Sequence, residues 1–291
     1  MFAAGFLNLA KRAAATPERE SMSYTKEDLK EQLKEMGLRP TDTVLMHSSM
    51  KAMGDVEGGA DTVLDALMEY FAEGLLLLPT HTWAQMGSGY TVFDRDTEPA
   101  CVGILPNLFW KRPGVIRSLH PTHSMAGFGR EAAEYLAGEE EYNTPCTPGG
   151  CYDRLRERNG RILLAGVTHA RNTFIHGVEE VLNVPHRLTD MPCEFYTKLP
   201  DGSLKKIYMR RHFNSRQPYI SEDFVKLTQA FYDTGAAKKV QLGEAECILC
   251  DARGIFEVTR HVLAPDPECI ILSPTIPSSR WEDFCGGPYF Q

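Results

Sequence analysis

The amino-acid sequence predicts an α/β fold with a mixed, partly parallel central sheet, flanking helices and a C-terminal antiparallel excursion. In the first third of the chain, helix patterns alternate with short apolar strand patterns, the order expected of strands joined by helical crossovers. After Leu188 the pattern becomes hairpin-like, so antiparallel strands are expected there. Because no internal repeat or low-complexity linker interrupts residues 23–291, we predict one domain over that range.

The first elements follow from capping residues and apolar runs. Thr25 is a typical N-cap, an acidic first turn follows it, and Gly37 ends the helix. The patterns that come next predict a buried strand at 43–46, a helix at 62–72, a second buried strand at 75–78 and a surface loop at 84–100.

The rest of the chain adds short helices and further strands. Helical patterns are expected at 102–110, 131–136 and 152–157. An apolar strand from Ile162 to Ala165 stops at Gly166, and a polar turn and another helical segment follow. The last third predicts strands at 193–198 and 205–209 around an Asp201-Gly turn, then helices at 224–235 and 254–264 flanking a strand at 245–250.

Composition and charge argue against several classes of protein. The net charge of −8, from 31 basic and 39 acidic residues, disfavours a nucleic-acid binder and is compatible with a cationic substrate. No apolar run approaches the ~18 residues that a membrane span needs, so we expect a cytoplasmic protein. Residues 1–22 resemble a frayed leader or an upstream start before Met22, with a membrane-surface helix as the alternative.

The eight cysteines are dispersed along the chain, which predicts reduced, mostly buried thiols rather than a disulfide scaffold. Cys247 and Cys250 form a CxxC, but they lie in an apolar strand pattern with no turn between them. The remaining partners for a zinc site, Cys269 and Cys285, do not form a second CxxC. We therefore expect no metal.

The most informative stretch of the chain carries His176 and Glu179, three residues apart in a helix-like segment. On a helix this spacing puts both side chains on one face. A carboxylate beside an imidazole fixes its tautomer and raises its basicity, as a general base requires. The alternative is that both residues are ordinary polar groups at a strand-to-helix junction.

Four junctions in the chain are rich in histidine, serine or threonine where an apolar strand ends. They begin at His47, Pro79, Arg117 and Gly166. In open α/β sheets, ligands bind just beyond the carboxyl ends of the strands. The sequence therefore predicts that these junctions line one shared cleft.

A series of short motifs runs through these junctions, from about residue 24 to residue 190. The motifs are Val44-Leu-Met-His-Ser-Ser-Met, Val56-Glu-Gly-Gly-Ala-Asp-Thr, Leu78-Pro-Thr, Phe93-Asp, Arg112-Pro-Gly, Arg117-Ser-Leu-His-Pro, Thr144-Pro-Cys, and Leu163-Leu-Ala-Gly-Val through His176-Gly-Val-Glu. In their order and approximate spacing they resemble the aminoglycoside 3-N-acetyltransferase family. The resemblance implies a fold distinct from the common histone-acetylase-type acetyltransferase fold.

The resemblance also implies an activity: acetylation of the 3-amino group of aminoglycoside antibiotics, which confers resistance. Acetyl-coenzyme A is the donor, and transfer is direct within a ternary complex. By this resemblance His176 is the base and Glu179 orients it, while His47 and His169 are second candidates for the catalytic group. An ammonium is not a nucleophile, so a base must remove its proton at neutral pH.

Candidate contacts to the two substrates follow from the same motifs. Coenzyme A, or a tunnel shaped for it, is assigned to Ser48, Ser49, Thr80, Ser118, His120 and Ser124. Because no glycine-rich phosphate loop is present, its pyrophosphate needs basic side chains, for which Lys51, Arg112 and Arg117 are candidates. Asp94 and Glu180 are candidate contacts for a cationic amine, and we expect a monomer or a homodimer.

Three other hypotheses stay open at this point. The same chemistry can act on a different amine. Cys146 or Cys151 with a histidine would make a thiol-based hydrolase or acyl-carrier enzyme that forms a covalent acyl-enzyme. The chain can also bind coenzyme A without catalysis. Two departures from the family pattern, Cys151 and the pair Gly177-Val178, leave the acceptor undetermined.

Overall fold

The computed structural model describes residues 23–87 and 89–290. The leader predicted over residues 1–22 lies outside these ranges. Within them, every helix is too short or too polar to cross a lipid bilayer. The description below is confined to these ranges.

The first helix begins as the sequence predicts. The Thr25 hydroxyl accepts a hydrogen bond from the Asp28 N–H, and the Asp28 carboxylate accepts one from the Thr25 N–H at 2.8 Å. The α-helices are α1 (Lys26–Glu35), α2 (Ala60–Tyr70), α3 (Ile104–Phe109), α4 (Ala132–Tyr135), α5 (Cys151–Glu157), α6 (Phe174–Val181), α7 (Thr228–Asp233), α8 (Ala252–Leu263) and α9 (Cys269–Leu272).

The strands form two sheets. They are β1 (Thr43–Ser48), β2 (Leu75–Pro79), β3 (Val92–Phe93), β4 (Ile116–Arg117), β5 (Met125–Gly129), β6 (Arg161–Ala165), β7 (Cys193–Lys198), β8 (Leu204–Met209), β9 (Ala237–Leu242) and β10 (Ala245–Asp251). The larger sheet has the order β4-β5-β2-β1-β6-β10-β9, and the smaller has the order β3-β7-β8.

The larger sheet is mixed, as predicted. At its centre β1 pairs in parallel with both β2 and β6, while β5 and β10 join antiparallel on either side. The three parallel strands run in the same direction, so their carboxyl ends meet at one edge of the sheet. That edge is where the histidine and serine residues after β1 lie.

Alternate side chains of the central strands enter two different cores. Leu45, Leu77 and Ile162 face α5, α6 and α8 on one side of the sheet. Val44 and Leu76, together with their neighbours, face α1, α2 and α3 on the other side. Burial on both faces explains why these strands read as continuous apolar runs. Each fully buried leucine stabilises the fold by about 1.5–3 kcal/mol.

The C-terminal part matches the predicted antiparallel excursion, with additions. The β7–β8 hairpin and β10 form as expected, and the loop predicted at 84–100 contributes the short strand β3 beside β7. The strand β9 was not predicted, because its two lysines and glutamine do not read as a strand. It lies at the edge of the sheet, where such residues are tolerated.

The helix predicted at 224–235 is also different in detail. A 3₁₀ segment, Ile220–Leu227, precedes α7 and buries Ile220, Phe224 and Leu227. This segment packs against the short 3₁₀ turn His169–Arg171 that follows β6. It thereby brings residues 218–221 to the edge of the sheet at which the parallel strands end.

Candidate active site

A cavity of about 690 Å³ opens where the parallel strands end. The end of β1 contributes His47 and Ser48, the end of β2 contributes Pro79, α6 contributes His176, and the segment after β8 contributes His212. A cleft of this volume is typical of a small-molecule site. The cleft expected at the strand ends is therefore present.

His176 lies in the wall of this cavity, and Glu179 lies directly behind it. Nδ1 of His176 is 3.3 Å from Oε2 of Glu179, a contact not aligned as a full hydrogen bond. Oε1 of Glu179 accepts a hydrogen bond from Nε of Arg187 at 2.6 Å. Arg187 thus compensates the buried carboxylate, which in turn favours a proton on Nδ1 of His176. That tautomer leaves Nε2 of His176 free to accept a proton.

The environment of His176 keeps the imidazole neutral. Burial, helped by the neighbouring His212 and opposed by Glu179, lowers the pKa of His176 to about 4. At neutral pH the ring is therefore unprotonated, which is the form that accepts a proton from a substrate. A neutral ring in the cavity wall with a carboxylate behind it has the geometry of a general base.

A second imidazole–carboxylate pair lies next to the first and was not assigned from the sequence. The ring of His212 stacks on His176 with 3.9 Å between centroids, and its Nε2 is 2.8 Å from Oε1 of Glu180. Glu180 also accepts hydrogen bonds from the Thr144 hydroxyl and the Cys146 N–H. Burial opposes ionisation of Glu180, but these hydrogen bonds outweigh it and lower its pKa. His212 lies three residues after β8, and its local sequence carries no signal that places it in the site.

Two further histidines line the cavity and were also not assigned a role from the sequence. Nε2 of His81 is 2.6 Å from the Tyr152 hydroxyl, and Nδ1 of His123 is 3.0 Å from the Thr122 hydroxyl. The two rings lie 4.6 Å apart. Burial lowers the pKa of both histidines well below the usual value, so this part of the wall is uncharged.

His120, a predicted coenzyme A contact, lies behind the lining. Its Nδ1 accepts hydrogen bonds from the Thr122 and His123 N–H groups, and its Nε2 is 3.1 Å from the Thr144 carbonyl. Both ring nitrogens are therefore used within the protein. The position of His120 supports a role in holding the 120–123 loop rather than a contact with coenzyme A.

His47, Ser48 and Ser49 do line the cavity, as the sequence predicts for a ligand site. Nε2 of His47 is buried without a hydrogen-bond partner in the described part of the chain, and burial lowers its pKa to about 3. The Ser49 N–H donates to the Ala165 carbonyl at 2.9 Å. Its hydroxyl, not its amide, is therefore the group left for a ligand.

Three other predicted coenzyme A contacts, Thr80, Ser118 and Ser124, are buried below the cavity and not part of its lining. Thr80 and Ser124 hydroxyls lie 2.9 Å apart, and both accept hydrogen bonds from Nε of Arg117. The Ser118 hydroxyl accepts from the Met125 N–H at 3.0 Å. Of the two roles predicted for these residues, the structure supports shaping of the site and not direct contact.

His169, which the sequence made a second candidate for the catalytic group, does not line the cavity. It is completely buried beneath the cavity, packs against Phe231 and has Nδ1 3.2 Å from the side-chain nitrogen of Asn172. Burial lowers its pKa to about 4. Because it does not reach the lining, its placement argues against a role as the base.

The two predicted acidic contacts, Asp94 and Glu180, are paired with other side chains of the protein. Asp94 lies outside the cavity lining and pairs with Lys198 at 2.8 Å. Glu180 is held behind the lining by the hydrogen bonds described above. Of the candidate phosphate contacts, Arg112 pairs with Asp61 and Asp65, and Arg117 is buried, so Lys51 is the one that lines the cavity.

The thiols do not meet the requirements of a covalent mechanism. Cys146 and Cys151 are buried and absent from the cavity lining, and burial raises the pKa of each well above the ordinary value. A protonated, inaccessible thiol is a poor nucleophile. This geometry argues against the thiol-based hydrolase.

One group of side chains has the composition of a metal site. Ligand atoms of Cys146, Glu180 and His212 lie within 4.8 Å of one another. The Glu180 carboxylate in that group is already hydrogen-bonded to His212 and the Cys146 N–H. The absence of a metal from the working protein stays a prediction.

The chain is similar to known acetyltransferases. Residues 45–264 match the family described as aminoglycoside 3-N-acetyltransferase. The chain is 28% identical over 255 residues to aminoglycoside N(3)-acetyltransferase IV of Salmonella sp., covering 86% of this chain and 91% of that protein.

Solved structures give the same result. The crystal structure of a histidine-to-alanine mutant of aminoglycoside acetyltransferase AAC(3)-IVa in complex with a gentamicin has a TM-score of 0.75 and 26% identity, covering 88% of this chain and 94% of that one. AAC-IIIb in a binary complex with coenzyme A has a TM-score of 0.71 at 21% identity, covering 81% and 95%. These likenesses confirm the predicted fold class, which is not of the histone-acetylase type.

Proposed function

Because the chain belongs to the aminoglycoside 3-N-acetyltransferase family, we propose that it transfers the acetyl group of acetyl-coenzyme A to an amine, with His176 as general base. The observation that carries this proposal is the neutral imidazole of His176 in the cavity wall, backed by Glu179 and Arg187. We also propose a cytoplasmic location, which the eight cysteines support because they are dispersed along the chain and not spaced as a disulfide scaffold.

The reaction follows from the positions of these groups. The acceptor ammonium first loses one proton to solvent, and the neutral amine nitrogen then attacks the thioester carbonyl while Nε2 of His176 takes the second proton from it. The C–N bond forms, the C–S bond breaks, and the coenzyme A thiolate receives the proton from His176. Glu179 stabilises the imidazolium in between. Transfer is direct within a ternary complex, which the burial of Cys146 and Cys151 away from the cavity lining supports.

Two serines and one histidine are placed to assist. The hydroxyls of Ser48 and Ser49 lie at the end of β1 and can donate to the thioester oxygen as negative charge develops. His47 precedes them with an unpartnered ring nitrogen in the described structure. Lys51 and Arg171 follow the neighbouring strand ends and are suited to the phosphates of coenzyme A.

The acceptor has two candidates. The first is the 3-amino group of an aminoglycoside, the acceptor named for the relatives. The second is a different amine, and one observation favours it: among the described residues that line the cavity, none is aspartate or glutamate. A polycation is ordinarily held by carboxylates.

The test is release of the coenzyme A thiol from acetyl-coenzyme A in the presence of an amine panel, with the wild-type protein and His176→Ala. Loss of a general base lowers the rate by about 10²–10⁴-fold. Binding of acetyl-coenzyme A, measured by calorimetry, should be unchanged. Equal rates for the two proteins would refute the assignment of the base. Binding without transfer to any amine would indicate a coenzyme A binding protein without catalysis.

A further inference from the structure

The charge of the cavity lining differs from the charge of the whole chain. The chain has a net charge of −8, yet the charged side chains among the described lining residues are Lys51, Arg171 and Arg211. The titratable residues that remain in the lining are Cys101, Tyr219 and five histidines, of which His176 is one. An acceptor with several ammonium groups would meet no negative charge there.

The carboxylates nearest to this lining are not free to turn toward a ligand. Glu179 accepts a hydrogen bond from Arg187, and Glu180 accepts hydrogen bonds from Thr144, Cys146 and His212. Both are buried in partnered positions, and releasing either would leave a buried cation or donor unpaired.

The three cations fall into two sets. Lys51 follows β1 and Arg171 follows β6, and these strands are adjacent and parallel, so the two residues lie at the same edge. Arg211 follows β8 of the smaller sheet and belongs to neither strand end. Coenzyme A carries phosphates that the first set can neutralise. Arg211 is then left for the acceptor.

Arg211 is held in place without being neutralised. Its Nη2 donates to the Trp83 carbonyl at 2.6 Å, and no carboxylate of the described residues lies within ion-pair distance of it. The next residue along the chain is His212, whose ring stacks on His176. Arg211 and His176 thus line the same cavity.

Two aromatic side chains of the cavity lining are exposed: Trp83 to 42% and Tyr219 to 73%. Their faces suit an acceptor with an apolar or planar body.

We propose that the acceptor is an amine that also carries an anionic group, a carboxylate or a phosphate, and that Arg211 binds this group. The inference rests on the proposed acetyl transfer and narrows its acceptor. A guanidinium binds either anion through two parallel N–H donors. It fixes the acceptor by its anionic end and leaves the amine free to face His176.

The test uses matched pairs of acceptors: phenylalanine with phenethylamine, and phosphoethanolamine with ethanolamine, together with gentamicin. Transfer is followed by thiol release, and binding to the coenzyme A-loaded protein is followed by calorimetry. The anionic member of at least one pair should be favoured by about 10-fold or more in kcat/KM, since a hydrogen bond to a charged group contributes about 1.5–3 kcal/mol. The pair that responds distinguishes carboxylate from phosphate.

The variants separate the role of Arg211 from a general loss of structure. Arg211→Gln should raise the KM for the anionic acceptor and so abolish the preference for it over the neutral member of the pair. The KM for acetyl-coenzyme A should stay unchanged. Arg211→Lys should retain part of the preference. Arg210→Gln is the matched control, because Arg210 lies outside the cavity lining and bonds to the Thr189 carbonyl. Unchanged melting temperatures would show that all variants are folded.

The outcomes are distinct. A lower KM or Kd for gentamicin than for every anionic amine, unaffected by Arg211→Gln, would overturn the inference while leaving acetyl transfer intact. Equal affinity within both pairs would also overturn it. Failure of the wild-type protein to acetylate any amine would instead refute the proposed function. In that case a binding preference for the anionic amines, lost in Arg211→Gln, would still support the anion site.

Discussion

The imidazole rings of His176 and His212 stack with centroids 3.9 Å apart and an angle of 18° between their planes. Each ring has its own carboxylate, and the two carboxylates, Glu179 and Glu180, are neighbours on α6. The neighbouring His212 adds to the effect of burial in lowering the pKa of His176, because like charges at this distance repel.

The carboxylate beside the base should matter for rate and for stability. In Glu179→Gln the negative charge that stabilises the imidazolium is lost, so we expect kcat to fall by about 10–100-fold. The buried Arg187 also loses its partner, which should destabilise the protein by about 3–5 kcal/mol. Steady-state kinetics and urea unfolding measure the two effects.

Glu222→Gln is the matched control for that substitution. Glu222 pairs with Arg171 at 3.0 Å on the surface, and exposed ion pairs contribute about 0–1 kcal/mol. Its kcat and stability should stay close to wild type. A full rate in Glu179→Gln would show that Glu179 serves the fold and not the base.

Removing the second imidazole should move the pH profile. Burial is the main cause of the low pKa of His176, and His212 adds to it. His212→Phe keeps a stacked ring but removes the electrostatic contribution of His212 that lowers the pKa of His176, so that pKa should rise. The acid limb of kcat/KM against pH should then move to higher pH, which a pH–rate series on both proteins would measure. An unchanged limb would mean that the two rings are not coupled.

Much of the fold followed from sequence because the evidence was local. The N-cap residue Thr25 predicted the start of α1, and apolar runs predicted β1, β2 and β6. The imidazole–carboxylate pair could be predicted because His176 and Glu179 are three residues apart on one helix. Strand β9 gave no such signal, since an edge strand with lysines has no apolar pattern.

The rest of the site depends on contacts between distant segments. His212 reaches His176 across 36 residues of chain, by way of a hairpin, and nothing in its local pattern marks it as part of the site. The net charge of −8 does not tell where the acidic residues lie, and among the described lining residues none is aspartate or glutamate. Serine and threonine at strand ends can face a ligand or the core, and sequence does not distinguish the two.

Acid should destabilise the protein below about pH 6.5. The folded-state pKa values of His47, His120, His169 and His176 lie at about 3 to 4, below the ordinary value of 6.5. The unfolded chain therefore binds more protons in this window, and stability is lost as the pH falls from 6.5 toward 4. Each histidine contributes up to about 1.4 kcal/mol per pH unit.

Urea unfolding at pH 5.0, 6.0 and 7.0 measures this slope. Glu139 contributes with the opposite sign, because burial raises its pKa to about 7 and stability from this group falls as the pH rises from 4.5. Glu139→Gln should therefore steepen the acid slope. A stability that does not change from pH 5.0 to 7.0 would contradict the buried, neutral state of the histidines.

The network beneath the cavity should prove structural. Arg117 donates to the hydroxyls of Thr80 and Ser124 and to the carbonyls of Thr80 and Glu98. Arg117→Met leaves these buried acceptors unpaired, at a cost of about 1–3 kcal/mol for each group that water does not reach. The melting temperature should fall, while KM for acetyl-coenzyme A in the folded fraction stays unchanged.

Lys51→Met is the comparison, because Lys51 lines the cavity. This substitution should raise the KM for acetyl-coenzyme A without lowering the melting temperature. A raised KM in Arg117→Met at an unchanged melting temperature would restore the direct contact with coenzyme A that the sequence suggested.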